Sequence, residues 1–261
     1  MAVKLERSGP VAWVTIDRPE KRNAVDPATH EELAATWPVL EQDPDIRVMV
    51  LTGAGDRSFC AGADVGSFLP YLVEAIDAGR DPEHFCGVTR KPPGKPLIAA
   101  INGDAFGGGL ELALAADLRI ASDHARFALP EVRIGAMAGA GGVTRLRRMI
   151  PAALAEHMIL TGEPITAPRA FDVGLVSEIV PHDQLNTRVS DIAERIAASP
   201  QQAIAACRNL RADDALPLDE AMANERSAFR TLMQSEELRN SLLRFRQDST
   251  RIFGQSKGDR T

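Results

Sequence analysis

Aromatic residues are scarce in this chain. Phe, Trp and Tyr together make up 5% of its 261 residues, too few for a base-stacking platform or an aromatic-lined carbohydrate cleft. Cysteine is scarcer still: Cys60, Cys86 and Cys207 are an odd number at wide spacings with no CxxC pair. That excludes a disulfide framework and a zinc ribbon as organising devices, and reads as reduced packing thiols in a cytoplasmic protein. Positive charge is not in excess, since the net charge is -6, which argues against nucleic-acid binding through bulk electrostatics. No apolar run approaches the roughly 18 residues of a membrane span, and the first residues lack the apolar stretch of a secretory signal.

What is present is ordinary globular composition, 44% hydrophobic and 25% charged, in a chain long enough for one large domain or two unequal ones. Residues 11–16 (VAWVTI) read as a strand closing a hairpin after Gly9 and Pro10. Asp26 and Pro27 suit the N-cap and first position of a helix that places Leu33, Trp37 and Leu40 at helical spacing. Short apolar strands are expected at 46–52, 97–101, 118–121 and 174–180, alternating with helices, which is the pattern of an α/β fold with parallel pairing. Residues 57–68 read as a short apolar strand entering a Gly-rich bend, residues 69–78 as a helix, and residues 90–96 as a flexible basic link rich in proline. Beyond Pro181 the strand signal stops. Amphipathic helices are expected at 183–199, 200–212, 217–233 and 235–248, so a boundary falls near residue 195 and divides the chain into 1–195 and 196–261.

The central stretch is PLIAAINGDAFGGGLELALAAD, residues 96–117. A strand runs into Gly107, Gly108 and Gly109, then into a helix that is apolar all round and therefore buried. Glu111 is out of place there, because a buried carboxylate needs a partner or a use. The glycines form either a tight packed turn or a place where backbone N–H groups at a helix start face a ligand oxygen. They match neither the dinucleotide nor the P-loop pattern. The turn Cys60-Ala61-Gly62-Ala63-Asp64 offers the same two readings. Glu131 follows Pro130 among apolar residues and is either a surface carboxylate or one aimed by the proline. Taken jointly, two carboxylates in apolar surroundings and two N–H-presenting turns suit acid–base chemistry next to an oxyanion.

The segments AGAD, IAAINGDAFGGGLELALAAD, FALPEVRIG and GAGGVTRL together resemble the enoyl-CoA hydratase/isomerase (crotonase) superfamily, from RPEKRNAV at residues 18–25 to the C-terminal helices. The resemblance implies a spiral of ββα turns with a C-terminal helical trimerisation region, assembled as a trimer or a dimer of trimers. It implies reversible hydration of a 2-enoyl-CoA to a 3-hydroxyacyl-CoA. Glu111 and Glu131 would be catalytic, and the N–H groups of Ala63 and Gly108 would form the oxyanion hole. Arg22, Ala24, Ala61, Gly62, Asp64 and Gly107 would contact the CoA ester. Coenzyme A would be part of the substrate, with no metal and no separate cofactor, and no nucleic-acid or membrane partner. LELALAAD with FALPE also looks like carnitinyl-CoA dehydratases; an isomerase or a non-catalytic acyl-CoA-binding protein are further readings. The chain departs from the family at Ala138 (usually proline), near Gly66 (usually a lysine follows the GAD turn) and at Gln247, Asp248 and Ser249 (usually Glu-Lys-Arg). Arg251 or Arg90, Lys91 and Lys95 would then hold the CoA phosphates, while Arg145, Arg147 and Arg148 read as a helix face or subunit contact.

Overall fold

The computed structural model describes residues 2–80 and 85–247. Two compact units emerge, residues 1–196 and 197–261. In the first, a hairpin of β1 (Val3–Ser8) and β2 (Val11–Ile16) is followed by α1 (Pro27–Gln42). Asp26 caps α1 by accepting the Thr29 N–H at 2.8 Å, and Pro27 occupies the first turn. Leu33, Trp37 and Leu40 are its buried face.

Three successive repeats then follow one pattern. Each has a strand in a large sheet, a short strand in a small sheet, and a helix or helical turn. The first is β3 (Val48–Gly53), β4 (Ser58–Cys60) and α2 (Phe68–Asp77). Then come β5 (Leu97–Ile101), β6 (Asp104–Phe106) and α3 (Gly108–Ala115). The third is β7 (Leu118–Ser122), β8 (Arg126–Ala128) and the 3-10 turn Pro130–Ile134. After these come α4 (Gly142–Met149), α5 (Ala152–Thr161), β9 (Ile165–Thr166), α6 (Ala167–Asp172), β10 (Glu178–Val180) and α7 (Leu185–Ala198).

The large sheet has the order β1-β2-β3-β5-β7-β10, parallel except for the β1–β2 hairpin. The small sheet has the order β4-β6-β8-β9, with the first three strands parallel. β3 and β5 are buried along their whole length, as central parallel strands covered on both faces must be. The strand expected at 174–180 is shorter than anticipated. Gly174 has φ +76° and the Leu175 N–H bonds to the Ala170 carbonyl at 2.8 Å, so residues 174–177 close a turn before β10 starts.

The second unit is helical, with α8 (Gln201–Asn209), α9 (Leu218–Met233) and α10 (Glu236–Gln247). Glu237 accepts the backbone N–H groups of Gln201 and Gln202, both at 2.8 Å, which ties α10 to the start of α8. Among the described residues no helix is long and apolar enough to cross a membrane.

Candidate active site

The ββα repeat places three chain turns side by side. β4, β6 and β8 are adjacent and parallel, so their C-terminal ends lie together. Residues 61–64 leave β4, residues 107–108 leave β6, and residues 129–131 leave β8. All three line one cavity of about 530 Å³.

In the first turn, Ala63 forms an isolated parallel bridge with Val25. The bridge uses the Gly62 carbonyl, which accepts from the Val25 N–H, and the Asp64 N–H, which donates to the Val25 carbonyl. Parallel pairing of this kind engages the groups flanking Ala63 and leaves its own N–H pointing the other way. In the second turn, Gly107 has φ +54° and precedes Gly108, the first residue of α3, whose N–H has no intrahelical acceptor. Neither N–H meets a protein acceptor among the described residues. The two turns touch: a Cβ at Gly62 would lie 3.0 Å from the Gly108 nitrogen and 2.9 Å from the Phe106 carbonyl oxygen. Close packing requires glycine here, and so does φ +91°.

Glu111 sits in α3 at 4% exposure. Its Oε1 accepts the N–H groups of Ala140 at 2.7 Å and Gly142 at 2.8 Å. These lie just before and at the start of α4, so a helix N-terminus faces the carboxylate. Gly142 allows the approach, since a Cβ there would lie 2.9 Å from Oε1. The other oxygen, Oε2, has no protein donor among the described residues. Desolvation raises the Glu111 pKa, while the two N–H groups and the Arg145 guanidinium act against it.

Glu131 is held less. Its Oε2 is buried without a hydrogen-bond partner among the described residues, and its Oε1 lies 2.9 Å from where a Cβ would stand on Gly107. Desolvation, with a smaller contribution from the nearby Glu111 charge, pushes its pKa up to about 7 despite its own backbone N–H. The two carboxylates thus share one cavity but differ in environment: one is fixed by three favourable partners, the other is nearly unpaired.

Of the residues singled out from the sequence, Glu111, Glu131, Ala61, Gly62, Ala63, Gly107 and Gly108 line this cavity. Arg22, Ala24 and Asp64 do not. The Arg22 side chain lines a separate polar cavity with Arg57, His124 and Arg126, although its carbonyl accepts the Ala61 N–H at 3.1 Å. The Ala24 carbonyl accepts from Arg18, and Asp64 Oδ1 accepts the Gly66 N–H at 3.1 Å within its own turn. The link at 90–96, expected to be flexible, is tied to the end of α1. Lys95 donates to the carbonyls of Leu40, at 2.9 Å, and Asp43, and the Gly94 N–H donates to Glu41. That use removes Lys95 from the candidates for phosphate binding.

The arginine cluster of α4 also divides. Arg147 pairs with Glu156 on the exposed face, whereas Arg145 turns inward and donates to the carbonyls of Ala140 and Thr89. Arg145 and the N–H groups of Ala140 and Gly142 are the parts of the site that sequence reasoning missed. The GAGG run was visible, but not what it faces. Asp248, Ser249 and Arg251 lie outside the described residues. Among those described, no group of His, Cys, Asp and Glu has metal-holding geometry.

The fold and this cavity define an α/β protein with paired carboxylates beside two free N–H groups. Comparison with known proteins places it. The family model described as enoyl-CoA hydratase/isomerase matches residues 6–256. The chain is 45% identical over 210 residues to (E)-benzylidenesuccinyl-CoA hydratase of Thauera aromatica, covering 80% of this chain and 81% of that protein. It is 41% identical over 211 residues to carnitinyl-CoA dehydratase of Salmonella arizonae, covering 80% and 79%. Among solved structures, enoyl-CoA hydratase from Bacillus anthracis superposes with a TM-score of 0.86 at 30% identity, covering 95% and 97% of the two chains. The chain belongs to the enoyl-CoA hydratase/isomerase family and has the crotonase fold.

Proposed function

We propose that this protein adds water reversibly across the Cα–Cβ double bond of a 2-enoyl-CoA thioester. The observation that carries the reading is the convergence of Glu111, Glu131 and the N–H groups of Ala63 and Gly108 on one cavity. The thioester oxygen accepts both N–H groups, and these stabilise the enolate oxygen that forms as the nucleophile adds. One such donor is worth about 3 kcal/mol in the transition state.

Glu111, whose anion two N–H groups and Arg145 support against the desolvation that raises its pKa, takes a proton from water through Oε2 as the water oxygen bonds to Cβ. The electron pair of the double bond moves onto the thioester oxygen. Glu131, with its pKa near neutrality, supplies the proton to Cα as that pair returns. The two carboxyl groups then exchange a proton to reset. Their unlike surroundings separate base from acid, as in other coupled carboxylate pairs. Coenzyme A belongs to the substrate, and the chemistry needs no metal or redox cofactor.

The relatives include a hydratase of an aryl-substituted ester and a carnitinyl-CoA dehydratase, which supports a specialised acyl group rather than a plain fatty acyl chain. The reverse reaction on a 3-hydroxyacyl-CoA uses the same groups. A Δ3,Δ2-isomerase, which needs one carboxylate, is disfavoured by the presence of two. We further propose a homotrimer or dimer of trimers built through the C-terminal helices, where Leu218, Met222 and Phe229 are exposed, and a cytoplasmic location. The test is loss of the conjugated thioester absorbance across a panel of 2-enoyl-CoA esters. Disappearance with formation of the 3-hydroxyacyl-CoA is expected; no turnover of short, aryl, branched or carnitinyl esters overturns the reading.

A further inference from the structure

The cavity that holds the glutamates is also lined by apolar Phe68, Leu69, Leu72, Ile76 and Phe85, and by His30. His30 lies on α1, two turns before Trp37, and the two grip one turn of chain. The Trp37 Nε1–H donates to the Cys86 carbonyl at 2.7 Å, and the Cys86 N–H donates to His30 Nδ1 at 2.9 Å. Cys86 has φ +54°, a conformation costly for a residue with a side chain, and these two bonds help hold it. A backbone N–H can only donate, so Nδ1 is an acceptor and the proton of the neutral ring is on Nε2. Desolvation keeps the ring neutral by lowering its pKa, with Glu31 opposing only in part.

No acceptor meets that Nε2–H among the described residues. The imidazole packs among aromatic rings: centroids of Phe68, Phe85 and Tyr71 lie 5.3, 6.3 and 6.5 Å from that of His30. Phe85 neighbours both Gly108 and His30: its ring edge lies 2.6 Å from where a Cβ would stand on Gly108, and its centroid lies 6.3 Å from that of His30. Gly108, Phe85 and His30 line one cavity, so an acyl chain whose thioester oxygen is held at Gly108 has His30 within the same enclosure.

The geometry points to His30 Nε2–H as a specificity-determining donor, selecting 2-enoyl-CoA esters whose acyl group carries an oxygen acceptor beyond Cβ, such as a keto or carboxylate oxygen. This rests on the CoA-ester reading of the cavity. A plain alkyl or aryl tail covers the N–H without pairing it, and a site built to hydrogen-bond a substrate discriminates most strongly against the analogue lacking the partner. The preference expected is about tenfold or more. If His30 served only to hold Cys86, its distal nitrogen would have no effect on acyl choice.

The test compares length-matched esters, one plain and the others with a keto or carboxylate group at successive positions. Two variants separate the two nitrogens. His30→Asn keeps an acceptor near Nδ1 and removes the distal donor; His30→Gln supplies a donor near Nε2. Both the kcat/KM ratio for the enoyl esters and the Kd ratio for their saturated, unreactive counterparts are read. The native protein should favour at least one oxygenated ester about tenfold in both ratios. Asn should collapse that preference towards one, and Gln should restore part of it. No preference at any position in the native protein, or an unchanged ratio in His30→Asn, overturns the inference. Absence of turnover with every ester would refute the hydratase reading instead, and the Kd ratio would still decide the role of His30.

Discussion

Replacing Glu131 with glutamine should stabilise the protein in a pH-dependent way while removing activity. Folding lifts this carboxyl from 4.5 to about 7, so between those values the folded chain holds a proton that the unfolded chain has released. Its contribution is therefore most favourable below about pH 4.5, falls as pH rises through 7, and is flat above. At about 1.4 kcal/mol for each pKa unit, the full cost would be about 3.5 kcal/mol. Partial access of the group to solvent screens this to about 1–2 kcal/mol. Glutamine carries no proton to lose. Urea denaturation at one fixed protein concentration, at about pH 5 and about pH 8, reads the effect in both proteins. The native protein should lose about 1–2 kcal/mol more than Glu131→Gln between the two conditions. Taking the difference between conditions cancels any constant penalty for the new amide. Equal pH dependence in the two proteins would refute the placement of Glu131 as a desolvated, unpaired carboxyl.

Other outcomes follow from the same geometry. Gly142→Ala puts a methyl group 2.9 Å from Glu111 Oε1; it should lower kcat about 100-fold by displacing the base, and an unchanged kcat would show that the carboxylate position is uncritical. Gly62→Ala forces φ +91° on alanine and a Cβ against the Phe106 carbonyl, so the protein should lose both stability and turnover, read by thermal melting and by the absorbance assay. Arg145→Met removes a positive charge that lowers the Glu111 pKa; the acidic limb of the kcat/KM profile should move to higher pH, and a limb that stays in place would argue against Arg145 acting on Glu111. Trp37→Phe deletes the bond to the Cys86 carbonyl and should cost about 1–2 kcal/mol of stability in urea melts.

How far the sequence could be read depended on the length of each element. β5 is an unbroken apolar run, β3 is apolar up to Thr52, and α1 carries an N-cap, a first-turn proline and a helical apolar face, so each had a periodic or boundary signal. The strands of the small sheet have two or three residues, too few for any period to register. Their pairing is set by the long strands beside them, which position the chain before β4, β6 or β8 begins. That is why Glu111, Glu131 and the two glycine-rich turns could be picked out and read jointly, while placing the donor N–H groups on Ala63 and Gly108 rested on the family resemblance. Arg145 shows the opposite limit. On a basic helix it looks like a solvated charge, whereas the fold turns it towards the carbonyls of Ala140 and Thr89. Lys95, likewise, belongs by composition to a basic link and by geometry to the end of α1. His30 carried no sequence signal at all, because its role depends on the conformation of Cys86 far along the chain.

The central claim is that two carboxylates, acting beside a pair of N–H groups, move water onto a 2-enoyl-CoA. It is tested most directly by following the conjugated thioester absorbance with the native protein and with Glu111→Gln and Glu131→Gln on the ester it turns over best. Bleaching by the native protein, with 3-hydroxyacyl-CoA as product and each variant slower by about 10²- to 10⁴-fold, is the expected result. Native-like bleaching by either variant, or a product in which the double bond has only shifted, would contradict it.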